Sequence, residues 1–145
     1  MGRATPWTAS SGTVLAALQA SGGAYAIGVP GNPNFSGLPV SFTANFNWST
    51  LIPNLGGVCS ASVAVSYRLS AAGQAGTTYT LTVNAGSQNF TSTNATTSNV
   101  TAGGTLTTNP TTAPATVTVT ASRNNGGSRE FWVDYVRVTL SYWTT

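Results

Sequence analysis

Seven side chains in this 145-residue chain carry charge: Arg3, Arg68, Arg123, Arg129 and Arg137 against Glu130 and Asp134, with no lysine and no histidine. Four of them lie together in GGSREFWVDYVRVTLSYW, residues 126–143, beside the densest aromatic run of the chain. The chemistry this cluster first suggests is glycoside hydrolysis by two carboxyl groups. That reaction needs them about 5–5.5 Å apart for retention or about 6.5–9.5 Å apart for inversion. On a regular strand, rising about 3.3 Å per residue, Glu130 and Asp134 would share a face roughly 13 Å apart, which is too far. Without histidine there is no Ser-His or Cys-His nucleophile and no histidine metal site, and without lysine no Schiff base. No glycine-rich phosphate loop is present. A calcium site built from backbone carbonyls and Asp134 remains compatible with the chain. The expectation is a protein that is not an enzyme and carries no cofactor.

The elements that must hold these residues are strands. In VSFTANFNW, Val40, Phe42, Ala44, Phe46 and Trp48 alternate with polar residues. In VCSASVAVSYRL, Cys59, Ala61, Val63, Val65, Tyr67 and Leu69 fall in one phase, so the lone Cys59 reads as a small buried hydrophobe. TTYTLTVN and ATVTVTA repeat the alternation with Tyr79, Leu81 and Val83, then Val117 and Val119. The closing strand runs from about Glu130 to Trp143. Period 2 places Trp132, Asp134, Val136, Val138, Leu140 and Tyr142 on its core face. A carboxylate there is costly unless paired, and Arg68, Arg123 and Arg129 are the available partners. Arg68, Arg123, Arg129, Glu130, Asp134 and Arg137 are therefore read as one internal charge network.

Only residues 11–21, SGTVLAALQAS, have helical spacing. The Thr- and Asn-rich stretch from 91 to 114 reads as short edge strands joined by loops. Residues 1–10 form an N-terminal extension and 11–145 one domain. The fold class is all-β, an antiparallel β-sandwich or jelly roll with at most one short helix near the N-terminus.

Charged residues make up 5% of the chain and hydrophobic ones 41%, so neutral Thr, Ser, Asn, Ala and Gly fill the surface. Five arginines, partly offset by two acids, make no phosphate-tracking stripe, which argues against nucleic acid as a partner. No span long enough for a membrane helix and no signal-peptide pattern is recognised, and Pro6 breaks the myristoylation motif that Gly2 suggests. Sequons begin at Asn34, Asn47, Asn89, Asn94 and Asn99, as composition alone would generate.

Three segments carry a family resemblance: FWVDYVRVTLSY at 131–142, LQASGGAYA at 18–26 and FNWSTLIPNLGGVCSASVAVSYR at 46–68. Together they resemble the galactose-binding-like jelly-roll modules of tailed-bacteriophage virion proteins. That resemblance implies a particle protein, first of all a capsid decoration or cement protein on the outer surface of the virion. Its partners would be the major capsid protein and further copies of itself, with a trimer favoured. The alternative is a carbohydrate-binding module of a phage tail or secreted protein, and the second alternative a subunit of an extracellular filament. Trp7, Phe35 and Trp143 are the candidate interaction residues, since aromatic side chains anchor protein contacts and stack on sugar rings.

Overall fold

The computed structural model describes residues 7–9, 26–28, 39–106, 113–124 and 129–145. Among these residues the chain forms β1 (Trp7–Ala9), β2 (Ala26–Gly28), β3 (Val40–Asn45), α1 (Trp48–Leu51), β4 (Leu55–Leu69), β5 (Tyr79–Ala85), β6 (Gln88–Thr93), β7 (Val100–Thr105), β8 (Thr116–Arg123) and β9 (Phe131–Thr144). One sheet has the order β1-β2-β9-β4-β7 and the other β3-β8-β5-β6, with every pairing antiparallel. From β2 onward this is jelly-roll order, so the all-β sandwich expected from the sequence is what forms. Within the segment taken as an extension, Trp7–Ala9 pair with β2. The helix expected at 11–21 lies outside the described residues. The helical turn α1 instead interrupts the expected strand after Asn45, and Phe46 and Trp48 stack across the break with ring centroids 5.3 Å apart.

The core lies between the sheets, where the two alternating patterns meet. Val63, Val65, Tyr67 and Leu69 of β4 face Leu81 and Val83 of β5 and Val117, Val119 and Ala121 of β8, all buried. The outward positions of the second sheet are neutral: Ser41 and Thr43, Thr118 and Thr120, Thr82 and Asn84, Thr91 and Asn89. Their side chains bond across the strands, Ser41 Oγ to Thr120 Oγ1 at 2.8 Å and Asn84 Nδ2 to Asn89 Oδ1 at 2.7 Å. As expected for the Thr- and Asn-rich stretch, β6 and β7 are edge strands of their sheets.

Three irregularities correct the simple period-2 reading of β4 and β9. Ser66 pairs with Tyr135 but Tyr67 with Val133, so Asp134 is an extra residue in β9. Such a bulge reverses the phase of everything before it. Phe131 and Val133, expected to face out, are fully buried, while Trp132, expected in the core, lies outside; Val136, Val138 and Leu140 keep their inward phase. The same device acts in β4, where Gly56 and Cys59 are unpaired between Leu55, Gly57, Val58 and Ser60. Cys59 is consequently exposed, not buried.

Tyr67 supplies a pH signature of this core. Its hydroxyl bonds Ser92 Oγ at 2.7 Å, and its ring stacks on Phe131. Burial raises its pKa above the ordinary 10.0, against a smaller opposing contribution from the Ser92 bond. A raised pKa means that the unfolded chain loses this proton first. The resulting stability is present below pH 10 and declines as pH rises through and above that value. Alkaline titration of urea stability should show this decline, and Tyr67→Phe should flatten it while costing about 1 kcal/mol at neutral pH for the lost hydrogen bond.

Candidate functional site

Strands β4 and β9, of 15 and 14 residues, outrun their neighbours. β7 pairs with β4 only from Ser62 to Tyr67, and β2 with β9 only from Phe131 to Val133. Toward the other end the two long strands continue as a ribbon that pairs Leu55 with Thr144, Gly57 with Trp143 and Val58 with Tyr142. That end carries the exposed large apolar side chains of the described residues: Leu51 at 60%, Trp143 at 52% and Tyr142 at 45% exposure.

The Trp143 indole lies across two consecutive glycines. A Cβ on Gly56 would meet its Cδ1 at 2.7 Å and Nε1 at 2.8 Å, and one on Gly57 would fall on the six-membered ring. With no side chain beneath it, the ring rests on backbone and turns its other face to water. This is the physical role of the GG pair. A Gly57→Ala substitution should lift the ring and weaken any ligand stacked on it about tenfold, leaving the unfolding midpoint within about 0.5 kcal/mol of wild type.

From Trp143 the outer face of the first sheet runs as a small-residue track. Its cross-strand rows are Ser60 with Ser141, then Thr105, Ser62 and Thr139, then Gly103, Ala64 and Arg137, then Thr101, Ser66 and Tyr135. Gly103 is required there: its φ is +132° and a Cβ would collide with the Val63 carbonyl. At the far end of the track the Arg137 guanidinium sits 4.4 Å from the Tyr135 ring centroid. Eight residues of strand separate Tyr135 from Trp143, about 26 Å. The track offers an aromatic face at one end, an arginine and a tyrosine at the other, and hydroxyls between.

The remaining charged residues among the described ones lie toward the opposite end. Arg68 caps Trp132, 4.5 Å from its ring centroid, and reaches the carbonyls of Leu69 and Thr97 at 3.5 Å. The Trp132 indole in turn donates to Glu130 Oε1 at 2.9 Å. Arg129 Nε donates to the Ala72 carbonyl at 2.6 Å. Asp134 is buried at its bulge, and Arg123 is buried as well. Arg123 does not hydrogen-bond Asp134, because none of its guanidinium nitrogens has a partner. Of the other candidate interaction residues, Trp7 lies in β1 and Phe35 falls outside the described residues. Arg137, expected in an internal network, is instead exposed on the track, where the register sets it opposite Ala64.

No family model matches the chain, and no curated protein matches it. Solved structures similar to the chain include two β-sandwich proteins. One is the structure of TmCBM61 in complex with beta-1,4-galactotriose, with a TM-score of 0.44, 10% identity, and coverage of 94% of this chain and 89% of that one. The other is SGBP-B from a complex xyloglucan utilization locus in Bacteroides uniformis, with a TM-score of 0.49 and 10% identity; it covers 94% of this chain, which spans 46% of that protein's length.

Proposed function

We propose that this chain is a non-catalytic carbohydrate-binding module that holds a neutral glycan along the outer face of its five-stranded sheet. The observation that carries this reading is the Trp143 indole, which lies over Gly56 and Gly57 and is 52% exposed. A pyranose ring presents a face of C–H bonds that packs on such a surface, while its hydroxyls project sideways to hydrogen-bonding groups. Ser60, Ser62, Thr105, Thr139 and Ser141 line the track beside the platform, and Arg137 adds donors at its far end. A neutral sugar needs no charge to recognise it, which fits a face that holds only Arg137 along the track. Glu130 is tied to Trp132 and Asp134 is buried, so neither carboxylate is presented to a ligand on this surface.

The test is titration of the protein with a glycan panel by calorimetry. β-1,4-galactan and xyloglucan fragments are its first members, the glycans named with the two structures of similar fold. Saturable binding between about 1 mM and 1 μM, quenching Trp143 fluorescence, is the expected result. An entirely silent panel would sink this reading.

A particle-surface structural protein is the second reading. It is favoured by the uncharged outer face of the second sheet, where Thr118, Thr120, Thr82 and their neighbours could meet another protein without desolvating a charge. Light scattering on a sizing column tests it: a stable trimer or larger ring supports assembly, and a monomer that binds glycans removes the need for it.

A further inference from the structure

Arg123 ends the inward row of β8, after Val117, Val119 and Ala121, and lies opposite Tyr79 of β5. The residue is 2% exposed, and Nε, Nη1 and Nη2 are each buried with no hydrogen-bond partner among the described residues. A guanidinium stays charged at neutral pH. Sealing one inside a sandwich with its five N–H donors unused is among the costliest arrangements a fold can contain, since both the charge and the donors go uncompensated. Its flanks are nonetheless well tied. Asn124, the next residue, takes the Thr78 N–H on its side-chain oxygen at 2.8 Å and donates its own N–H to the Thr78 carbonyl at 3.2 Å. The Tyr79 hydroxyl donates to Gln74 Oε1 at 3.3 Å, and its ring packs on Phe131. The surroundings are thus ordered around a cation that lacks its anion.

We propose that Arg123 is the anchor of an internal oxyanion site, whose ligand presents two oxygens to the guanidinium fork. A carboxylate, sulfate or phosphate matches that geometry in bidentate fashion. The site lies at the end of the sandwich where Ser70–Ala72 of the β4–β5 connection meet Arg129 and Glu130. They are clasped by Ser70 N–H to the Glu130 carbonyl at 3.0 Å, by the Glu130 N–H to Ser70 Oγ at 3.0 Å, and by Arg129 Nε to the Ala72 carbonyl. Entry requires transient parting of Ser70–Ala72 from Arg129 and Glu130, a local opening of the kind loop ends undergo. The site is independent of the Trp143 platform, which sits at the opposite end of β9, so either can fail alone. The oxyanion could be a free small ion or the carboxylate of an acidic sugar.

Thermal unfolding of the whole chain, in a chloride buffer free of oxyanions, tests the proposal. Acetate, sulfate, phosphate, glucuronate and a galacturonate oligomer are titrated in turn at constant ionic strength. The wild type should gain several degrees in Tm, saturably, with at least one of them. Arg123→Met should show no such gain. In the oxyanion-free buffer it should unfold at or above the wild-type temperature, because it removes an uncompensated charge while keeping most of the volume. Arg123→Lys keeps the charge but not the fork, and should respond at least tenfold more weakly. A gain with acetate and sulfate identifies a free ion; a gain with the uronates alone identifies an acidic sugar. The proposal is overturned if the wild type gains nothing from any oxyanion, or if Arg123→Met gains as much. It is also overturned if Arg123→Met loses about 10 °C or fails to fold without oxyanion while the wild type stays indifferent, for the guanidinium would then be satisfied within the fold.

Discussion

Trp143→Ala is expected to weaken glycan binding about 30-fold or more while leaving stability within about 1 kcal/mol of wild type. The two halves of that expectation come from the same geometry. The indole is 52% exposed, so its removal opens no cavity in the core. It also packs against Gly56 and Gly57, which support it from below, so a sugar stacking on it has less of the ring left to order. A platform that is already ordered converts contact area into affinity; a mobile one loses part of it to entropy. Trp143→Phe should recover part of the binding, since a smaller ring covers less of the sugar face. Calorimetric titration of the best ligand in the panel, with circular dichroism melts of each variant, reads both quantities. Unchanged affinity in Trp143→Ala would remove this end of the ribbon from the binding site, whatever the ligand.

Phe131→Ala should cost about 3–5 kcal/mol, a large share of the 5–15 kcal/mol that holds a typical domain together. Phe131 is fully buried and packs against both Tyr67 and Tyr79, its ring centroid 6.2 Å from each. It joins the two sheets at one end of the core, and truncation there leaves a void that two tyrosines anchored by hydroxyl bonds to Ser92 and Gln74 cannot easily fill. Were β9 a regular strand with Asp134 in phase, Phe131 would face solvent and the same substitution would cost almost nothing. Urea denaturation therefore tests the bulge itself: a midpoint shift worth less than about 1 kcal/mol would contradict it.

That contrast also marks the boundary of what the amino-acid order reveals. Tyr79, Leu81 and Val83, and Val117 and Val119, could be assigned to the core from alternation alone, because β5 and β8 are regular and half-buried. Strands β4 and β9 of the other sheet carry extra residues at Gly56, Cys59 and Asp134. A bulge leaves no mark in local periodicity, since each flank alternates correctly and only the partner strand reveals the phase change. Hence Cys59 was expected inside and Phe131 outside. The helical turn at Trp48 escaped for a related reason: an apolar residue in phase with a strand is also suited to a turn that folds it back, here with its indole donating to the Pro114 carbonyl at 2.7 Å. Among candidate site residues, Trp143 could be named from its type. The glycines beneath it, the hydroxyl track beside it and the place of Arg137 on that track depend on register. The isolation of Arg123 depends on packing.

The position of β9 has a kinetic consequence. The last strand lies in the middle of its sheet, between β2 and β4, and its hydrogen bonds to each reach back far along the chain. During synthesis the earlier strands emerge with this slot empty, leaving β2 and the long β4 with unsatisfied edges until residues 131–144 are made. The five-stranded sheet can therefore close only after residues 131–144 are available, and closing it requires the slow, entropically expensive formation of long loops. A chain stalled before Phe131 would present two open strand edges, the arrangement most prone to pair with another chain. Folding yield, more than final stability, is then the property on which substitutions in β9 would act first.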